Sequence, residues 1–183
     1  LWAVNLAWLS RRHFLEGAGA GPVTLKLVVG MAVLICGGGA LGLVHTAPEG
    51  RELFILLLFV IWAADIGAYA AGRLLGKHKL APQISPGKTW EGVLGGQLLV
   101  IAVILAASWI RPELISPWPM LVWGCATAAV SVVGDLFVSL LKRQRNLKDA
   151  GSIFPGHGGV LDRFDSMLAA APVFGLGLLL SQV

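Results

Sequence analysis

Five stretches of about twenty mostly apolar residues, separated by clusters of charge, constrain this chain more than any other feature. They run from Leu25 to Thr46, Leu53 to Leu75, Val93 to Ile110, Trp118 to Leu141 and Val160 to Leu180. A bilayer core is about 30 Å thick, and a helix rising about 1.5 Å per residue needs about twenty residues to cross it. Composition agrees: 56% of the residues are hydrophobic and 13% are charged, where a soluble domain is about a quarter charged. The mean hydropathy is +0.79. The expectation is an all-α, polytopic helical membrane protein forming a single membrane domain over residues 1–183. Leu1 to Leu9 is apolar but too short to span, and it lacks the charged start and cleavage site of a signal peptide. It reads as a partial N-terminal helix whose start is missing.

Charge placement orients these spans. Of the 14 Lys and Arg residues, only Arg51 and Arg111 fall on one side. Arg11, Arg12, Lys26, Arg73, Lys77, Lys79, Lys88, Lys142, Arg143, Arg145, Lys148 and Arg163 fall on the other. Positive loops stay cytoplasmic, so the loops at 76–92 and 142–159 face inward. The net charge of +4 therefore reflects topology, and no nucleic-acid partner is expected. Cys36 and Cys125 lie inside apolar spans and in no Cys-x-x-Cys or Cys/His cluster, so neither a disulfide framework nor a zinc site follows.

The outward connections, near Ala47–Glu52 and Arg111–Pro117, read as plain turns. The two inward loops are long and rich in Gly, Pro, Lys and His, a composition that in long loops often carries function.

Ionised carboxylates inside a bilayer cost several kcal/mol and are rarely kept without a task. Asp65, Asp135, Asp162 and Asp165 fall within the apolar spans. Asp135 is about 9 Å from the cytoplasmic end of its span, and Asp162 and Asp165 lie in the first two turns of theirs, so these three share one depth. Asp162 and Asp165 also share a helix face. Hard oxygen ligands so arranged suit Mg²⁺, which is commonly held by one or two carboxylates, waters and substrate phosphates. The alternative is helix capping or a Lys/Arg pair, since Asp in a first turn is favoured by the helix dipole in any case. Asp65 lies nearer mid-membrane, with Tyr69 one turn on, and either supports the site or bonds structurally between helices.

The loop at 142–159, KRQRNLKDAGSIFPGHGG, sets basic residues beside these carboxylates. Cations next to a metal site suggest phosphate, and Pro155 to Gly159 leads into a helix start, a layout that can cradle an anion. Positive-inside anchoring and an ordinary Gly turn are the plainer reading. The other loop, KHKLAPQISPGKTWEG, ends like a Walker A motif at Gly87, Lys88 and Thr89. It is not one, because Pro82 stands where the motif needs Gly. Ser85, Lys88 and Thr89 could still bind phosphate, while Lys77, His78 and Lys79 read as anchors of a helix end.

Ser139, Lys142, Arg143, Lys148, Asp149, Gly151, Pro155 to Gly159, Asp162, Arg163 and Asp165 together resemble the S-x-x-K-R-x-x-x-x-K-D-x-G-x-x-x-P-G-H-G-G-x-x-D-R-x-D pattern of the phosphatidate cytidylyltransferases, with every fixed position present. The stretch from Asp65 through SPGKTWEG is similar to the bacterial members too, so the likeness covers the chain from about residue 60 onward. Members carry further helices ahead of this region, and the chain looks like a C-terminal portion.

The resemblance implies a multi-pass, homodimeric enzyme of the bacterial inner membrane, with its active site on the cytoplasmic side. It implies that CTP and phosphatidic acid are joined with Mg²⁺, pyrophosphate leaving; a second metal or a monovalent cation is compatible with the same site. It implies Asp135 and Asp162 as metal ligands and Asp165 as a metal ligand or its support. Lys142, Arg143, Lys148 and Arg163 are then phosphate neutralisers, and Ser85, Lys88 and Thr89 add phosphate contacts. His157 either donates a proton to pyrophosphate or hydrogen-bonds a phosphate. Asp149, Gly158 and Gly159 complete the substrate-binding set.

Three other readings compete. A CTP-dependent polyprenol or phytol kinase would release CDP in place of pyrophosphate. A cation or proton transporter would place its carboxylates near mid-membrane on broken helices. A structural membrane subunit would explain neither the carboxylates nor the PGHGG loop.

Overall fold

The computed structural model describes residues 20–144, 147, 149–151 and 159–181. Five long helices dominate it: α1 (Ala20–Thr46), α2 (Gly50–Leu75), α3 (Trp90–Ile110), α4 (Pro117–Gln144) and α5 (Leu161–Ser181). All five are long and apolar enough to cross a membrane, and they match the five expected spans to within a few residues. The all-α, polytopic expectation therefore holds. One element was not foreseen: the inward loop between α2 and α3 is not structureless but holds an antiparallel hairpin, β1 (Lys79–Ala81) and β2 (Ser85–Thr89).

The helices pack in the cyclic order α1, α5, α4, α3, α2, with α2 also touching α4 and α5. Accordingly α2 contributes most to the core, through Leu53, Leu56, Leu57, Val60 and Ile61, with Ile104 of α3 and Phe174 of α5 completing it. Large apolar side chains also cover the outside, including Leu27 and Ile35 of α1 and Leu94 and Leu98 of α3. In water such a surface would aggregate. In lipid it is the ordinary solvent-facing side, because acyl tails are as apolar as leucine.

Without a hydrophobic force between helices in lipid, close approach falls to small residues. Helices α2 and α3 meet through Ala64, Gly67, Ala68 and Ala71 against Gly92, Gly95 and Gly96. A Cβ on Gly67 would lie 2.6 Å from the carbonyl oxygen of Gly95, and one on Gly96 would lie 2.6 Å from that of Ala64. On the other side, Gly134 lets α4 settle against Ala169 and the backbone of Asp165 on α5. Both contacts bear on function, because α2, α4 and α5 carry the four carboxylates.

Pro172 lies inside α5 and has no N–H to give the carbonyl of Leu168 one turn earlier. Gly37 of α1 closes onto that carbonyl: a Cβ there would sit 2.6 Å from it. The kink-prone position is thus covered by a neighbouring helix, as is usual for proline within a membrane span.

Gly67→Val should wedge α2 from α3 and lower the midpoint of thermal unfolding in detergent, overpacking of this kind costing about 1–3 kcal/mol. Gly38→Ala, at a position where a Cβ meets nothing within 4 Å, should leave the midpoint unchanged. Equal midpoints for the two variants would refute the small-residue contact.

Candidate functional site

The hairpin is fastened to the bundle at three points. At its base, Glu91 in the first turn of α3 receives the backbone N–H of His78 at 3.2 Å and contacts the ring Nδ1 at 2.6 Å. Trp90 donates its N–H back to the carbonyl of His78 at 3.0 Å. In the middle, Lys88 Nζ lies 2.5 Å from Asp135 Oδ2 on α4. At the tip, the carbonyl of Ile84 accepts from Arg143 Nε at 3.5 Å. Thr89 ends the hairpin and begins α3 as its N-cap, its buried hydroxyl accepting from Gly92 N–H at 3.1 Å. That hydroxyl stabilises the helix start and still has its own proton to donate.

A second fastening organises the loop before α5. Lys142 Nζ lies 2.6 Å from Asp162 Oδ1. Asp162 Oδ2 accepts backbone N–H bonds from Ala150 at 2.7 Å and Gly159 at 2.9 Å. One carboxylate therefore ties Ala150 to Gly159, and Gly159 fits there because a Cβ would lie 2.8 Å from Gly151 N. The Lys142 ammonium and the two amides stabilise the charged form of Asp162. Of the plainer roles weighed from sequence, the lysine pair is present.

Two cavities flank these fastenings. One, of about 430 Å³, is lined by Asp65, Tyr69, Arg73, Ser85, Lys88 and Thr89 among others. The other, of about 500 Å³, holds Asp65, Asp135, Asp162 and Asp165 on its wall together with apolar side chains of α2 and α5. Asp65 lines both, and the Lys88–Asp135 pair joins a wall of the first to a wall of the second. Asp165 is buried and accepts the N–H of Ser166 at 2.6 Å, while Asp135 Oδ1 accepts from Ser139 at 3.3 Å.

The structure thus brings together Asp135, Asp162 and Asp165, and it brings together Ser85, Lys88 and Thr89. Asp149 is exposed. Lys148, His157 and Gly158 lie outside the described residues, as does the side chain of Arg163. Among the described residues no three His, Cys, Asp or Glu side chains gather closely enough to hold a metal ion by themselves.

Residues 4–180 match the model of the Cytidylyltransferase family. The chain belongs to that family. It is 46% identical over 136 residues to a phosphatidate cytidylyltransferase of Haemophilus influenzae, covering 71% of this chain and 46% of that protein. It is 44% identical over 150 residues to one of Pseudomonas aeruginosa, covering 81% and 55% respectively. A phosphatidate cytidylyltransferase of Rickettsia bellii is 37% identical over 155 residues, covering 81% of this chain and 67% of the relative. The chain spans about half the length of the first two of these relatives.

Within this site, sequence reasoning missed Glu91 and underused His78. An acidic residue in a first helical turn carries no signal beyond the helix dipole, and only the fold shows it clasping a segment 13 positions earlier. Arg73 was counted as topology alone, although it lines the hairpin cavity.

Glu91→Ala should release the hairpin base. Backbone hydrogen exchange at residues 79–89 should accelerate severalfold while the helices keep their protection. Unchanged exchange in the hairpin would show that the His78–Glu91 contact is not what holds it.

Proposed function

We propose that this chain supplies the catalytic half of a phosphatidate cytidylyltransferase, joining CTP to phosphatidic acid at the cytoplasmic face of a bacterial inner membrane and releasing pyrophosphate. The observation that carries the reading is the seam at Lys88–Asp135, where a cavity carrying cations meets a cavity carrying four carboxylates. Relatives named phosphatidate cytidylyltransferase give the substrates. The charge asymmetry of the loops supports the cytoplasmic side. Homodimeric assembly belongs to the same proposal.

A phosphate oxygen of phosphatidic acid attacks the α-phosphorus of CTP. The new P–O bond forms as the bond to the bridging α–β oxygen breaks, and the electron pair leaves on pyrophosphate. Phosphate is its own nucleophile, so the protein's part is positioning and neutralisation of charge. Lys88 and Lys142 do the neutralising: each sits on a carboxylate that an arriving phosphate can replace as partner. Arg143 at the hairpin tip adds a third cation, and Ser85 offers a hydroxyl from the cavity wall.

The donor set fits Mg²⁺ held by one or two carboxylates and completed by phosphate oxygens, and it does not fit a cage built wholly by protein. Asp135 and Asp162 must each loosen a lysine to take part, and Asp162 two amide bonds besides. When bound, the ion neutralises charge on the triphosphate and orients it. Asp165, buried beside them, supports the arrangement.

In the full-length protein, Asp135→Asn should lower CMP transfer by at least about a hundredfold with the fold intact, as loss of a charge-stabilising group in a preorganised site does. Radiolabelled CTP, phosphatidic acid and thin-layer separation of products provide the measurement, and chelating Mg²⁺ should abolish turnover of the unsubstituted enzyme. Near-normal turnover by the variant refutes its role, and release of CDP instead of pyrophosphate refutes the reaction.

A further inference from the structure

Arg73 is placed as more than a topology signal. It lies in the last turn of α2, where Leu74 and Leu75 are exposed, and its Nη1 donates to the phenol oxygen of Tyr69 at 2.8 Å. That bond uses one of the guanidinium's five donors, and among the described residues no carboxylate pairs with it. Both side chains line the hairpin cavity with Ser85 and Lys88. An anchoring arginine has no need of a cavity or of a phenol one turn back to hold it.

The surroundings point to the kind of phosphate. Tyr69, on the cavity wall, is 65% exposed, and in a membrane-spanning chain such an amphipathic ring sits at headgroup level. The cavity wall behind the cations is apolar, formed by Ala68, Val93 and Val132. An apolar wall beside an exposed amphipathic ring suits a phosphate carried on a lipid. The neighbouring cavity, with four carboxylates against the single Asp65 of the hairpin cavity, repels a bare phosphomonoester more strongly.

We infer that Arg73, steadied by Tyr69, binds the phosphomonoester headgroup of a membrane lipid at the mouth of the hairpin cavity, and so decides which cavity receives the lipid. This rests on the proposed lipid-phosphate chemistry. Lys88, on the same wall, then receives that phosphate at the seam with Asp135.

The test uses full-length protein in detergent and two readouts. The first is binding to mixed micelles containing phosphatidic acid against micelles containing diacylglycerol, followed by intrinsic tryptophan fluorescence. Unsubstituted protein should prefer phosphatidic acid. Arg73→Gln should weaken that preference about tenfold or more, Arg73→Lys should retain part of it and Tyr69→Phe should show a smaller loss. The second is steady-state kinetics: Arg73→Gln should raise the KM for phosphatidic acid while leaving the KM for CTP within about twofold. A preference kept by Arg73→Gln, or a defect confined to CTP, overturns the assignment. If the unsubstituted protein turns over no CTP, the proposed reaction fails, and the binding comparison decides the role of Arg73 by itself.

Discussion

A carboxylate at the edge of a bilayer is stable only if something offsets its loss of water, and in this protein that something is lysine. The Lys88–Asp135 pair joins a β-hairpin to α4, and the Lys142–Asp162 pair joins the end of α4 to the start of α5. Neither pair is fully buried, so their net worth to stability is modest. In the proposed reaction each cation is held beside a group that a phosphate can displace. The same contacts that make the acidic cluster tolerable in the absence of substrate place positive charge where substrate charge would arrive.

The bundle makes those pairs possible by bringing backbones close. Glycine and alanine at the α2–α3 and α4–α5 contacts take the place of the bulky interdigitation found in soluble cores. Asp65 can therefore line both cavities from α2, and Asp135 can share a wall with Asp165. A larger residue at Gly134 would meet the Cβ of Ala169 and push apart the two helices that carry most of the acidic wall. Packing and chemistry are linked here by distance alone.

Much of this was legible without coordinates. The five spans follow from apolar run length, since a bilayer of fixed thickness makes length a direct measure. The shared depth of Asp135, Asp162 and Asp165 follows from counting residues along helices whose ends are fixed by charge. The family follows from the run between Ser139 and Asp165, which the wider match bears out. The hairpin was not legible: β1 and β2 are short and hold Lys, Pro, Gly and Thr, with no alternation of apolar residues. Its pairing is fixed by contacts to α3 and α4, which lie outside the segment itself.

The sequence by itself determined the membrane setting, the number of spans and the identities of the charged groups at their ends, because these depend on composition and position along one chain. Only the tertiary structure decided which lysine meets which aspartate, that Glu91 clasps His78, that Asp162 closes a loop as well as facing a cavity, and that Arg73 and Tyr69 share a wall with Lys88. Those pairings join residues as many as 47 positions apart, from Lys88 to Asp135. Their geometry is set by how closely helices pack, which no single segment encodes.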